Sequence, residues 1–199
     1  KVDSILMLWY AGMEGGHAAA RLLFGEVSPS GKLPFTIPTD AADLPFFDKE
    51  AERIEYGLYH GYTLFDRDRI TPAYCFGFGL SYARFDYGAV RGTVNGKTVT
   101  LRCEVTNTGD CAAEEVVQCY VGFERSAIDR PKKLLRGFRK LALEPGQSRE
   151  VVFELCADDL AYFDPNGAAW TVEPIVHTAW VAPTSAVAHR PGFEFSLEA

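Results

Sequence analysis

Two side chains capable of acid–base chemistry, Glu14 and His17, stand three positions apart in the run Gly12-Met-Glu-Gly-Gly-His17. An apolar stretch, Ile5 to Tyr10, precedes them, and His17 to Phe24 follows with the alanines and leucines of a helix. A glycine turn between an apolar strand and a helix puts such residues beyond the carboxyl end of the strand, where open α/β sheets bind their ligands. Two readings fit this placement. In one, Glu14 lines a substrate cleft and His17 donates to a ligand hydroxyl. In the other, Glu14 favours the positive end of the helix dipole while His17 caps or packs on the first turn. The turn is not a phosphate loop, because it lacks both glycine-rich spacings and Glu14 repels an anion.

Other candidates carry weaker signals. Trp9, Tyr59, Tyr62 and Trp170 have rings that stack on sugars, although aromatics in such positions also serve as interface or core packing. His60, in Tyr59-His-Gly-Tyr62, has no evident partner and is read as structural. The basic stretch Arg130-Pro-Lys-Lys-Leu-Leu-Arg136 is predicted to be a solvated strand face. Five cysteines (Cys75, Cys103, Cys111, Cys119, Cys156) show neither a C-x-x-C pair nor histidines at zinc-binding spacing, so no metal site is predicted. Cys103 and Cys119 alternate with apolar neighbours and read as small buried hydrophobes, with a disulfide left open.

The elements that position these residues differ along the chain. Residues 1–40 follow a strand–turn–helix–loop order. The apolar strand Ile5 to Tyr10 resembles one buried on both faces, and Gly25 is placed as the helix C-cap. Prolines in Ser28 to Pro38 put that extended segment at a sheet edge. Residues 41–80 show no sustained period but are rich in aromatics, which predicts a connector packed down on something rather than a disordered linker. From about Ser81 the period becomes two. Strands are predicted over Thr98 to Thr106, Val116 to Val121, Leu134 to Leu143, Arg149 to Leu155, Ala168 to Pro174, Val176 to Val181 and Phe193 to Leu197. Short strands at this spacing, separated by Asn-Thr-Gly-Asp and Glu-Pro-Gly-Gln turns, specify an antiparallel immunoglobulin-type sandwich over residues 81–199. The fold class is thus mainly β, with a partial α/β segment in front.

The 199 residues, 47% hydrophobic and with a formal net charge of −7, exclude a basic face suited to nucleic acid. No apolar run approaches the roughly 20 residues that span a bilayer. A chain that opens on a buried strand reads as a piece of something longer. No compartment is assigned.

Several stretches, in order, resemble one family. Trp9 to Ala18 and Leu23 to Thr36 (with Ser-Gly-Lys-Leu-Pro) are similar to the end of the α/β sandwich domain of family 3 glycoside hydrolases, β-glucosidase-like enzymes. Tyr59 to Tyr62 and Pro72 to Tyr82 resemble the family's connector. Val105 to Gly109, Glu115 to Val121, Arg130 to Phe138 and Leu143 to Gly146 are similar to its fibronectin type III-like domain. The resemblance implies retaining hydrolysis of β-linked glycosides, which needs two carboxyl groups about 5–5.5 Å apart. It implies a nucleophilic aspartate in a separate barrel domain and an acid/base glutamate just before the present segment. No residue here matches either motif, so no catalytic residue and no cofactor is assigned. The partners implied are the barrel and remaining sandwich segments of the same enzyme and a β-linked glucoside or oligosaccharide. The chain departs from the pattern at Tyr56, where glutamate is common, and at Glu173 to His177 and Val181 to Ser185, where glycines are common. Loss of those glycines, together with Pro183, predicts an altered last hairpin. The competing function is a non-catalytic accessory sandwich for protein or polysaccharide contact, with its boundary near residue 80.

Overall fold

A computed structural model describes residues 2–123 and 125–197. Two helices, α1 (Gly15–Leu23) and α2 (Gly61–Asp68), precede ten strands: β1 (Phe85–Tyr87), β2 (Arg91–Asn95), β3 (Thr98–Asn107), β4 (Ala113–Gly122), β5 (Lys133–Leu143), β6 (Ser148–Cys156), β7 (Tyr162–Asp164), β8 (Ala169–Thr171), β9 (His177–Ala182) and β10 (Phe193–Phe195). In one sheet β3 is central, with β1 and β2 along one edge and β6 along the other. The facing sheet runs β10-β9-β4-β5, and β7-β8 is a separate hairpin. All of these pairings are antiparallel.

The period-two reading explains the core. Val99, Leu101, Cys103 and Val105 of β3 point inward with Val151, Phe153 and Leu155 of β6. They meet Val117, Cys119 and Val121 of β4 and Ala179 and Val181 of β9. Side chains at alternate positions share a face of the sheet, so each strand delivers one apolar row to the space between the sheets. Burial pushes the Cys103 thiol up to about 11 and that of Cys119 up to about 12, consistent with inert core packing. All five cysteines are unpaired.

Turn and bulge chemistry follows local demands. Buried Asn107 donates to the carbonyls of Cys111 (2.9 Å) and Leu143 (3.0 Å) and accepts from the Gly109 amide (2.9 Å), which explains why the Asn-Thr-Gly turn opens with asparagine. Opposite Cys119 and Tyr120 the register of β5 shifts by one residue, leaving Arg136 as the extra residue of a bulge. Beside it, a Cβ on Gly137 would lie 2.9 Å from the Phe153 ring, so glycine permits the close approach.

Strand β4 is buried on both faces from Val117 to Gly122, because the connector covers its outer side. Tyr62, Phe76 and Leu135 pack around Tyr120, Ala182 and Val187. The aromatic connector therefore packs down, as its composition predicts, at Tyr62 and Phe76. Phe46, Phe47 and Tyr56 instead stand exposed. Helix α2 was not legible in the sequence: Gly61 to Asp68 has no long apolar period, and its start is fixed by Thr63, whose hydroxyl donates to the His60 carbonyl at 2.8 Å.

Two expectations need correction. The Ile5 to Tyr10 strand is not formed among the described residues, and Ile5 is 69% exposed. A strand buried on both faces needs neighbours on both edges, and none pairs with it here. The basic stretch is not a solvated face. Arg130 pairs with Glu173 at 3.3 Å, with both side chains under 8% exposed (6% and 7%), and its guanidinium lies 3.7 Å from the Phe123 ring centre. Lys133 pairs with Asp66 of α2, and the Nε of Arg136 is buried. Lys133 meets the connector through Asp66, while Arg130 is taken up by Glu173 and Phe123 of the sandwich itself. At the end of the described chain β10 pairs with β9 over His177–Ala179, and Pro183 follows the end of β9, where no ladder donor is required.

Candidate functional site

Local rules place Glu14 and His17. Gly12 adopts φ +69°, which turns the chain into α1, and the Gly15 amide donates to the Gly12 carbonyl at 3.2 Å. Helix α1 ends in a Schellman motif: the Gly25 amide donates to the Leu22 carbonyl (3.1 Å) and the Glu26 amide to that of Arg21 (2.9 Å), with Gly25 at φ +74°. The sequence expectation of a helix stopped by Gly25 holds, with the first turn beginning two residues earlier than His17.

Glu14 occupies the N-cap position but its carboxylate caps no backbone amide. It is instead 2.7 Å from the His17 Nδ1, one helical turn away. Both side chains are exposed, at 82% and 86%. Thus His17 neither caps nor packs. The structure brings the two candidates together as a solvent-facing carboxylate–imidazole pair, able to accept from and donate to hydroxyl groups of a ligand laid across the helix start.

Around this turn lies an apolar surface. Ile5, Met7, Trp9 and Met13 are exposed, with Trp9 packed edge-on against Phe35 at 5.5 Å. The connector exposes apolar side chains of its own, Phe46, Phe47, Tyr56 and Leu58, and carries an open cleft of about 510 Å³ lined by Phe46, Arg53, Tyr56 and Tyr59. Exposed apolar patches of this kind mark interaction surfaces.

The other sequence candidates are placed as follows. The Tyr62 hydroxyl accepts from the Leu135 amide (3.0 Å), and its ring packs on Phe76 and Tyr120, so it is an interface residue. The Tyr59 hydroxyl bonds Asp129 while Arg67 covers its ring at 4.6 Å. Trp170 is exposed and meets Phe163 across the β7-β8 hairpin at 5.8 Å. His60 is the N-cap of α2. Among the described residues no group of three or more His, Cys, Asp or Glu side chains converges to hold a metal, and no helix is long and apolar enough to cross a membrane.

One cluster escaped sequence reasoning. Lys32 Nζ reaches both oxygens of Glu115, at 3.0 and 3.1 Å, and donates to the Gly79 carbonyl at 3.3 Å. The Tyr87 hydroxyl donates to Glu115 at 2.7 Å. A signal for it exists in the sequence: Glu115 shares its strand face with Ala113, Val117 and Cys119, so an acid stands in an apolar row and requires a cation.

Comparison with known proteins matches two stretches of the chain. Residues 1–82 match the glycosyl hydrolase family 3 C-terminal domain, and residues 115–185 match the fibronectin type III-like domain. The chain is 36% identical over 200 residues to beta-glucosidase BoGH3A of Bacteroides ovatus, covering 93% of this chain and 26% of that protein. It is 42% identical over 178 residues to a beta-glucosidase of Rhizobium radiobacter, covering 82% of this chain and 22% of the relative. The crystallised beta-glucosidase 3B of Thermotoga neapolitana, in complex with glucose, superposes with a TM-score of 0.90 at 37% identity, over 100% of this chain and 28% of that one. The chain therefore spans about a quarter of the length of the relatives it matches. With both domain types matched in order and the fold shared at this identity, the chain belongs to glycoside hydrolase family 3, as a C-terminal portion that joins the end of the α/β domain to the fibronectin type III-like sandwich.

Proposed function

We propose that this chain is the C-terminal portion of a retaining β-glucosidase- or β-xylosidase-like glycosidase, contributing a cleft wall and a bracing sandwich while nucleophile and acid/base lie on other segments of the same enzyme. Residues 1–40 end the α/β domain in this reading, residues 41–80 connect, and residues 81–199 form the sandwich. The observation that carries it is the exposed Glu14–His17 pair set in an apolar surface at the start of α1. A self-sufficient accessory module has no use for that surface, whereas a part that docks against a barrel and further strands requires it. Glu14 and His17 are then cleft residues that bind substrate hydroxyls, and the reaction's two carboxyl groups come from elsewhere.

The test is an exchange of parts. The purified 199-residue chain should not hydrolyse an aryl β-glucoside. A chimera in which it replaces the corresponding portion of the Thermotoga neapolitana enzyme should do so, with KM raised by Glu14→Gln. Turnover by the isolated chain that is abolished by Glu14→Gln would overturn the assignment of the catalytic pair to other segments. A folded but inactive chimera would overturn the cleft-wall role.

A further inference from the structure

We propose that Lys32 is a positioning residue: its buried ion pair with Glu115 latches the segment that carries α1 onto the end of the sandwich. The placement of the Glu14–His17 pair is thereby set by strand β4. The second part of this statement rests on the cleft reading above; the latch itself does not.

The geometry joins three stretches of chain at one carboxylate. Glu115 is 2% exposed and lies near the start of β4, where Tyr87 of β1 donates to it from the facing sheet. The Lys32 side chain is 12% exposed and is the one cation paired with Glu115 among the described residues. The same ammonium donates to the Gly79 carbonyl, at the end of the connector. Lysine suits this position because a compact ammonium offers three donors in different directions, here spent on two carboxylate oxygens and a carbonyl.

The backbone around Lys32 is built for this approach. The Leu33 amide donates to the Phe78 carbonyl and the Gly77 amide to the Leu33 carbonyl, each at 2.8 Å. A Cβ on Gly79 would lie 2.2 Å from the Gly31 carbonyl oxygen, so only glycine allows the two strands of chain to lie this close. Ser28 Oγ is 2.8 Å from Ser81 Oγ, and the Tyr82 hydroxyl donates to the Leu22 carbonyl of α1 at 2.8 Å. The helix is thus tied to the connector end, and the connector end is tied through Lys32 to β4.

The physical consequence follows from the cost of a buried carboxylate without a cation. Tyr87 alone supplies a neutral donor and leaves the charge uncompensated. The sandwich of this protein is therefore electrostatically complete only when residues 28–36 are docked on it. Docking and sandwich stability are coupled through one charge pair, and α1 cannot swing freely on its loop while the pair is made.

Amide hydrogen exchange on the full chain reads this directly. Lys32→Met should speed exchange at Leu33 and Gly77 by roughly tenfold or more relative to the central strand β3, because the segment lifts to let water reach Glu115. The double variant Lys32→Met/Glu115→Gln should recover most of that protection, since a neutral amide still accepts from Tyr87 and needs no cation. Unchanged exchange in Lys32→Met would overturn the proposal. So would a double variant as fast as the single one, which would mean that Lys32 acts through the packing of its stem. Should Lys32→Met fail to fold, the double variant decides: folded with protected Leu33 supports the latch, and unfolded overturns it. Exchange does not involve hydrolysis, so its failure leaves the glycosidase reading standing, and an inactive chimera leaves the latch standing.

Discussion

His177 lies within the sandwich, fully buried, with its ring 5.4 Å from that of Phe123 and 5.5 Å from that of Phe195. Neither ring nitrogen makes a hydrogen bond of normal geometry among the described residues. Burial holds its pKa below the usual 6.5. The nearby Gly122 backbone and the Glu173 charge oppose that depression, and Arg130 adds to it. A base held low in the folded state is protonated more readily in the unfolded chain, so stability is complete above about pH 6.5 and is lost as pH falls below it. Lowering pH from about 7 to about 5.5 therefore costs stability, with an upper limit of about 1.3 kcal/mol set by the unfolded imidazole alone. That is a sizeable fraction of a net stability of roughly 5–15 kcal/mol. The carboxylates held low, Asp68, Glu114 and Glu173, do not contribute in this window, since all three are ionised there in the folded and unfolded chains. Urea unfolding at the two pH values measures the difference, and His177→Phe, which keeps a ring between Phe123 and Phe195, should abolish it. Equal pH dependence in the variant and the parent would refute the argument.

Two further substitutions test how the connector and the buried charges are held. Gly77→Ala should destabilise the chain by about 2 kcal/mol in chemical unfolding, because Gly77 sits at φ +81° and a Cβ there would lie 2.2 Å from Gln118 Oε1. Arg130→Met should cost about 3 kcal/mol by the same measurement, since it leaves the Glu173 carboxylate buried without its cation. The loss stays near the lower end for such pairs because Ser126 and Ala127 still donate to Glu173, at 2.6 and 2.9 Å. Burial pushes Glu173 up, yet these donors and Arg130 outweigh it and hold its carboxyl below the usual range. The Arg130 contribution should therefore be present above about pH 4.5 and fade as pH falls through the lower folded value.

The amino-acid sequence alone determined the sandwich. Val99, Leu101, Cys103 and Val105 alternate with polar neighbours, and a period of two permits only one set of inward faces. It likewise determined the α1 stop at Gly25, since a left-handed C′ residue is a local requirement. The family followed from motifs whose spacing survives without any knowledge of contacts. What sequence left undecided are the features made by residues far apart in the chain. Helix α2 and the exposed Phe46 and Phe47 carry no period, and the difference between a packed and an unpacked aromatic depends on which outer face lies beneath it. Arg130 to Arg136 read as a solvated face because their acidic partners, Asp66 and Glu173, lie more than forty residues away along the chain. Ile5 to Tyr10 read as a strand, but a strand exists only where neighbours supply its ladder. Glu14 and His17 were found by type and spacing, and the tertiary structure alone showed that they bond each other and face outward. The Lys32–Glu115 pair joins positions that the sequence holds apart, and only folding brings an ammonium to the one acid in an apolar row.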